Sequence, residues 1–131
     1  MKLISKVLEA LTCYEDGLIA GITIFDRFFK ETGTEYSDSE GLVSYPRSIE
    51  GVEVAFALIE KSDEGVFKVS LRSKGKVDVA KIAERLGGGG HKYASGCKIK
   101  TQDYQSALEM LLSAIKEGLS STPGLERTVK V

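Results

Sequence analysis

Residues 69–96 read VSLRSKGKVDVAKIAERLGGGGHKYASG, and their order of signals decides the architecture. Phe67, Val69 and Leu71 alternate with Lys68, Ser70 and Arg72, the period of a half-buried strand over 66–73. Asp78 is suited to cap a helix whose buried stripe is Val79, Ile82, Ala83 and Leu86. Gly87 stands where a left-handed residue commonly closes a helix. Three more glycines and His91 follow, and an extended pattern resumes over 94–100. Strand, helix, glycine turn and strand within one short stretch mean a sheet with a helix packed on it.

Working outward, 51–60 (GVEVAFALIE) is apolar on both faces and reads as a central strand. KSDEG at 61–65 is turn chemistry, so this strand and the one over 66–73 form an antiparallel hairpin. Towards the N-terminus, 18–25 reads as a buried strand, 26–32 as a short helix, and 33–40 as a loop with Ser37 capping a short helix that reaches Tyr45. Leu3, Ile4, Val7, Leu8 and Leu11 share one helical face over 2–12. Thr101 is expected to cap a last helix that Gly118 ends, lined by Tyr104, Leu108, Leu111 and Ile115. The expectation is a single α/β domain: a mixed β-sheet with helices packed on it, containing a β-hairpin. Residues 1–13 are expected as a linker helix, 14–119 as the domain, and 120–131 as a tail or edge strand.

Composition sets the limits. The chain has 131 residues, 42% hydrophobic and 28% charged, with a net charge of −1. It can bury a core, and it exerts no general pull on nucleic acid. Anion binding must therefore come from a local cluster. Cys13 and Cys97, far apart and without a secretory signal, read as reduced thiols of a cytoplasmic protein. With one histidine they make no zinc site. The apolar start is too short for a membrane span.

The glycine run has two readings, a flexible linker or a cradle. The flanking elements are too small to be domains, and HKYASG is not linker composition, which favours a structured loop. Glycine lets another group approach the main chain, and successive N–H groups can converge on an anion. GxxxxGK[ST] is absent and GxGxxG fits only by force, so neither a P-loop nor a dinucleotide fold is supported. His91 can donate to a phosphate oxygen, and Arg72 offers a planar fork. If the 66–73 strand and the glycine loop lie side by side, these two flank one anion site.

The motif Gly88-Gly89-Gly90-His91-Lys92-Tyr93-Ala94-Ser95-Gly96, with SLRS at 70–73 and more weakly YPRSIEGVEVA at 45–55, resembles the DHH-associated domain, type 1. That is the C-terminal domain of Asp-His-His phosphoesterases, here nearest the oligoribonucleases that also dephosphorylate adenosine 3′,5′-bisphosphate. The resemblance spans about residues 14–116. Ser95 departs from the usual alanine, a small-for-small change expected to leave room for ligand.

The resemblance implies that Arg72, Gly89, Gly90 and His91 hold a terminal nucleotide and its phosphate. Gly88, Ser70 and Ser73 stand behind them, and Arg47 is a further phosphate contact. It also implies an N-terminal Asp-His-His domain that binds two manganese ions and does the hydrolysis. This sequence has no Asp-His-His triplet, so no cofactor is assigned to it and it is expected to be inactive alone. Expected partners are short RNA or a nucleotide phosphate and that catalytic domain, with no membrane; a homodimer is left open. Two other readings stay open. One is the domain of a cyclic-dinucleotide phosphodiesterase. The other is a non-catalytic RNA-binding module, like the C-terminal domain of alanyl-tRNA synthetase, using Lys68, Lys74, Lys76, Lys92, Lys98 and Lys100.

Overall fold

A computed structural model describes residues 2–125. The helices are α1 (Lys2–Glu9), α2 (Asp26–Thr32), α3 (Ser44–Arg47), α4 (Val79–Arg85) and α5 (Tyr104–Ser120). The strands are β1 (Thr12–Tyr14), β2 (Ile19–Ile24), β3 (Val54–Lys61), β4 (Val66–Ser73), β5 (Gly89–Gly90) and β6 (Ala94–Ile99). Short 3-10 turns lie at Glu15–Gly17 and Tyr36–Ser39. The strands form one mixed sheet in the order β1-β2-β3-β4-β6-β5. β2 and β3 run parallel, joined by the crossover that carries α2 and α3, and the other neighbours are antiparallel. The expected mixed α/β sheet and its β3–β4 hairpin are present, with β3 in the interior as its two-sided apolar sequence requires.

The two faces of the sheet are covered unequally. One face buries Phe56, Leu58, Phe67, Val69, Leu71 and Ile99 under Ile82 of α4 and Leu111 and Ile115 of α5. The other buries Ala20, Ile22, Ala55, Ala57 and Ile59 beneath Leu3 and Val7 of α1, Phe28 of α2, and Leu42 and Val43 before α3. That second cover lies over β2 and β3. On the same side, β4 and β6 carry Lys68, Ser70, Arg72, Ala94, Gly96 and Lys98, none of which is fully buried. The alternation of apolar and polar residues along β4 is the sequence record of this half-open sheet.

Several boundaries differ from expectation for identifiable reasons. Thr101 is not the cap of α5. Its Oγ1 accepts the Asp103 N–H at 3.1 Å, and the Asp103 carboxylate accepts the Ser106 N–H at 3.1 Å. Gly118 does not end α5, which runs on to Ser120. The glycine is there because α4 crosses at that point: an added Cβ would lie 2.7 Å from Ile82 Cγ1. Ser37 lies inside the 3-10 turn, whose entry is fixed by a reciprocal Glu35–Asp38 capping box. α1 stops at Glu9, because Thr12–Tyr14 pair with Ile19–Gly21 as an edge strand. It packs Leu3 and Val7 into the core. Of the expected tail or edge strand over 120–131, Ser120 is helical and 121–125 form turns with no strand, while 126–131 lie outside the described residues. No helix among the described residues is long and apolar enough to cross a membrane.

Candidate functional site

Residues opposite each other in a ladder share a face, so the register defines what stands on the uncovered side. One rung runs Ala55–Arg72–Ala94. His91 extends it, because its N–H donates to the Ala94 carbonyl at 2.8 Å and its own carbonyl accepts the Ala94 N–H at 3.2 Å. The next rung is Ala57–Ser70–Gly96–Gly89. The one beyond is Ile59–Lys68–Lys98. The middle rung is nearly bare of side chains, and basic residues stand on both sides of it. Arg72 and His91 are two strand spacings apart along their rung, about 10 Å between main chains, which their side chains can close around one small anion.

The four glycines have different physical reasons. Gly87, at φ +84°, closes α4: its N–H donates to Glu84 and that of Gly88 to Ala83, at 3.1 and 2.8 Å. Gly88 lies against β6, where an added Cβ would fall 2.1 Å from the Gly96 carbonyl oxygen. Gly90, at φ +146°, is pressed against Ser95 and Ala94 in the same way. Gly89 meets nothing within 4 Å and opens onto the uncovered face. β5 is the outermost strand among the described residues, so its outward main-chain groups face no neighbouring strand there.

A depression of about 310 Å³ opens on the same face, lined by Ala57, Ser70 and Arg72 from the sheet and by Tyr36, Ser39 and Glu40 from the crossover. Arg72 Nη1 donates to the Leu71 carbonyl at 2.9 Å, which leaves the Nε–Nη2 edge free for an acceptor. Arg47 Nε donates to the Ser73 carbonyl at 3.2 Å, bringing a second guanidinium to the same end of β4. Neither arginine, nor His91, forms an ion pair among the described residues. Burial pushes the Tyr36 hydroxyl up, against the pull of Lys61, so it stays a donor at neutral pH. Glu40 brings a carboxylate to the rim, an acceptor for hydroxyl or amino groups.

The ladder thus sets Arg72, Ser70, Gly89 and His91 on one face, with Arg47 at the end of β4; of these, Ser70 and Arg72 line the depression, while Gly90, opposite Ser95, belongs to the other face. Two more sequence readings take other places. Ser73 faces the opposite side, wholly buried, with its Oγ accepting the Gly75 N–H at 2.9 Å. Ser95 also points away from the open side and donates to the Val79 carbonyl at 2.7 Å, pinning β6 to α4. Sequence reasoning missed Ala57 and the crossover wall of Tyr36, Ser39 and Glu40. The one available signal was the small residues Ala55 and Ala57 alternating with Phe56 and Leu58. The described residues hold no group of three His, Cys, Asp or Glu side chains able to ligate a metal, so they do not fit the two manganese ions.

The model of the DHHA1 domain matches residues 18–117, and the chain belongs to that family. It is 36% identical over 119 residues to the "bifunctional oligoribonuclease and PAP phosphatase NrnA" of Thermus thermophilus, covering 91% of this chain and 35% of that protein. It is 32% identical over 111 residues to the "cyclic-di-AMP phosphodiesterase PdeA" of Listeria monocytogenes, covering 85% of this chain and 16% of that protein. The crystal structure of an exopolyphosphatase-related protein from Bacteroides fragilis superposes with a TM-score of 0.80 at 30% identity, over 88% of this chain and 33% of that one. The chain thus spans about a third or less of the length of these relatives.

Proposed function

We propose that this chain is the substrate-binding domain of a phosphoesterase that hydrolyses short oligoribonucleotides and adenosine 3′,5′-bisphosphate, and that its open sheet face holds the terminal nucleotide phosphate. The observation that carries this reading is the bare Ser70–Gly96–Gly89 rung lying beside the Arg72–Ala94–His91 rung. A phosphate there can rest against main chain and take charge-assisted hydrogen bonds from a guanidinium fork and an imidazole N–H. The sugar hydroxyls lie towards Ser70 and Glu40. Bond cleavage, with two manganese ions, belongs in this reading to an Asp-His-His domain preceding this one in a longer, cytoplasmic protein.

Calorimetric titration with AMP and with adenosine tests it. AMP binding, adenosine at least about 10-fold weaker, and loss of that difference in Arg72→Ala are expected. Equal affinity for the two ligands would remove the phosphate from the account. The similarity to the Listeria protein supports a cyclic dinucleotide as second substrate class. Tighter binding of cyclic di-AMP than of the linear dinucleotide would favour it.

A further inference from the structure

The hairpin turn that carries His91 has two sides. Lys92, the next residue, borders a second depression of about 280 Å³ between α4 and the end of α5. Lys76, Lys81, Arg85 and Lys92 line it, with Ser121 and Thr122, whose hydroxyls already donate to the Glu117 and Gly118 carbonyls at 2.8 and 2.7 Å, so the basic side chains are its donors. Asp78 supplies the one carboxylate of that lining, and its Oδ1 already accepts the N–H groups of Ala80 and Lys81 at 3.0 and 3.4 Å. Arg85 is paired with Glu117 at 2.7 Å. Lys76, Lys81 and Lys92 have no ion-pair partner among the described residues. Three like charges around one depression repel each other until an anion neutralises them.

An aromatic ring stands beside this cluster. Tyr93 is 54% exposed. Its carbonyl accepts the Ser73 N–H at 3.0 Å and that of Lys92 accepts the Val79 N–H at 2.9 Å, so the turn is tied to β4 and to the start of α4. Lys92 Nζ lies 5.7 Å from the Tyr93 ring centroid. The ring packs over Gly75, where an added Cβ would meet its Cε1 at 3.5 Å. An exposed, anchored aromatic beside basic side chains suits a single strand: the ring stacks a base and the cations follow the backbone.

We infer that the lysine depression, with Tyr93 beside its Lys92, is a second anion site that holds the phosphodiester backbone of single-stranded RNA beyond the terminal nucleotide. This rests on the reading that the open face takes the terminal phosphate, and it gives the direction in which the strand leaves. The same hairpin serves both sites, His91 on one side and Lys92 on the other.

The test compares binding of a ribodinucleotide and a ribohexanucleotide to the full chain across a salt series. Lys76→Ala/Lys81→Ala is measured beside wild type, with circular dichroism to verify the fold. Wild type is expected to bind the hexanucleotide at least about 10-fold more tightly than the dinucleotide. The double variant loses that gain, its salt slope falls by about 1.4 for two lost phosphate contacts, and its dinucleotide affinity stays unchanged. Tyr93→Ala weakens the hexanucleotide roughly 5- to 150-fold through one lost stack. A gain that survives in the double variant, or no gain in wild type, overturns the inference. So does an equal gain for a linear polyphosphate of matching charge, which would remove the RNA assignment. Arg72→Ala separates the two readings: it weakens both oligonucleotides alike if the terminal-phosphate reading holds, and an unchanged dinucleotide affinity would sink that reading alone.

Discussion

Gly89→Ala separates the stability of the glycine run from its use. Gly89 has an ordinary backbone conformation, and an added Cβ would meet nothing within 4 Å. The substitution therefore adds no strain and restricts the unfolded chain, so stability should hold or rise by about 0.4–1 kcal/mol. That methyl group, however, stands on the bare rung with Gly96 and Ser70, where a phosphate must come to main-chain contact. Overfilling a close contact costs about 1–3 kcal/mol, which weakens AMP binding roughly 5- to 150-fold. Gly88→Ala is the control in the other direction. Its Cβ would lie 2.1 Å from the Gly96 carbonyl oxygen and 2.6 Å from Cys97 Cβ, so main chain must move. That variant should lose about 1–3 kcal/mol of stability. Urea denaturation and calorimetric titration read the two quantities separately. A Gly89→Ala protein that folds normally and binds AMP as wild type does would refute the need for a bare rung.

Other outcomes follow from single contacts. Ser73→Ala leaves the half-buried Gly75 N–H without its partner and should cost about 0.5–1.5 kcal/mol in urea denaturation, with AMP affinity unchanged. Both cysteines are free thiols, but burial pushes Cys97 up to about 11 while Cys13 is exposed. Mass spectrometry after brief alkylation of the native protein should find Cys13 modified and Cys97 modified only after unfolding. Ser106, through its hydroxyl and its N–H, holds the Asp103 carboxyl below its ordinary 3.8. A depressed carboxylate contributes stability that is present above its unfolded value and is lost as pH falls through the folded one. The acid loss of α5 helicity below about pH 4 should therefore flatten in Asp103→Asn, read by circular dichroism.

How much was legible depended on whether a feature is written in side chains or in main chain. The alternation of Phe67, Val69 and Leu71 with Lys68, Ser70 and Arg72 marks β4 and its two faces, because burial selects residue type there. Asp78 and Gly87 bound α4 for equally local reasons. β5 is two glycines held through backbone pairing with β6, so it left no apolar pattern. β1 is three residues at an edge, with Cys13 exposed. Gly118 carries the usual sign of a helix end, yet its cause is Ile82 on another helix, which no local window contains. Ser70 and Ser73 look equivalent in sequence, but three positions separate them, and a period of two puts them on opposite faces. The openness of the site was the least visible feature. It follows from α1, α2 and α3 covering β2 and β3 but touching β4 only through α3 and leaving β6 clear, a matter of three-dimensional extent.

The central claim is that the Arg72 and His91 rung and the bare rung beside it form one anion site. NMR titration of the labelled chain with AMP reads it most directly. The account predicts that the Arg72 side-chain signals, the His91 ring and the Gly89 and Gly90 amides shift together along one saturation curve, while the Ser73 amide and those of α5 stay still. Saturable shifts confined to the groove between α4 and α5, with Arg72 and His91 unmoved, would contradict it.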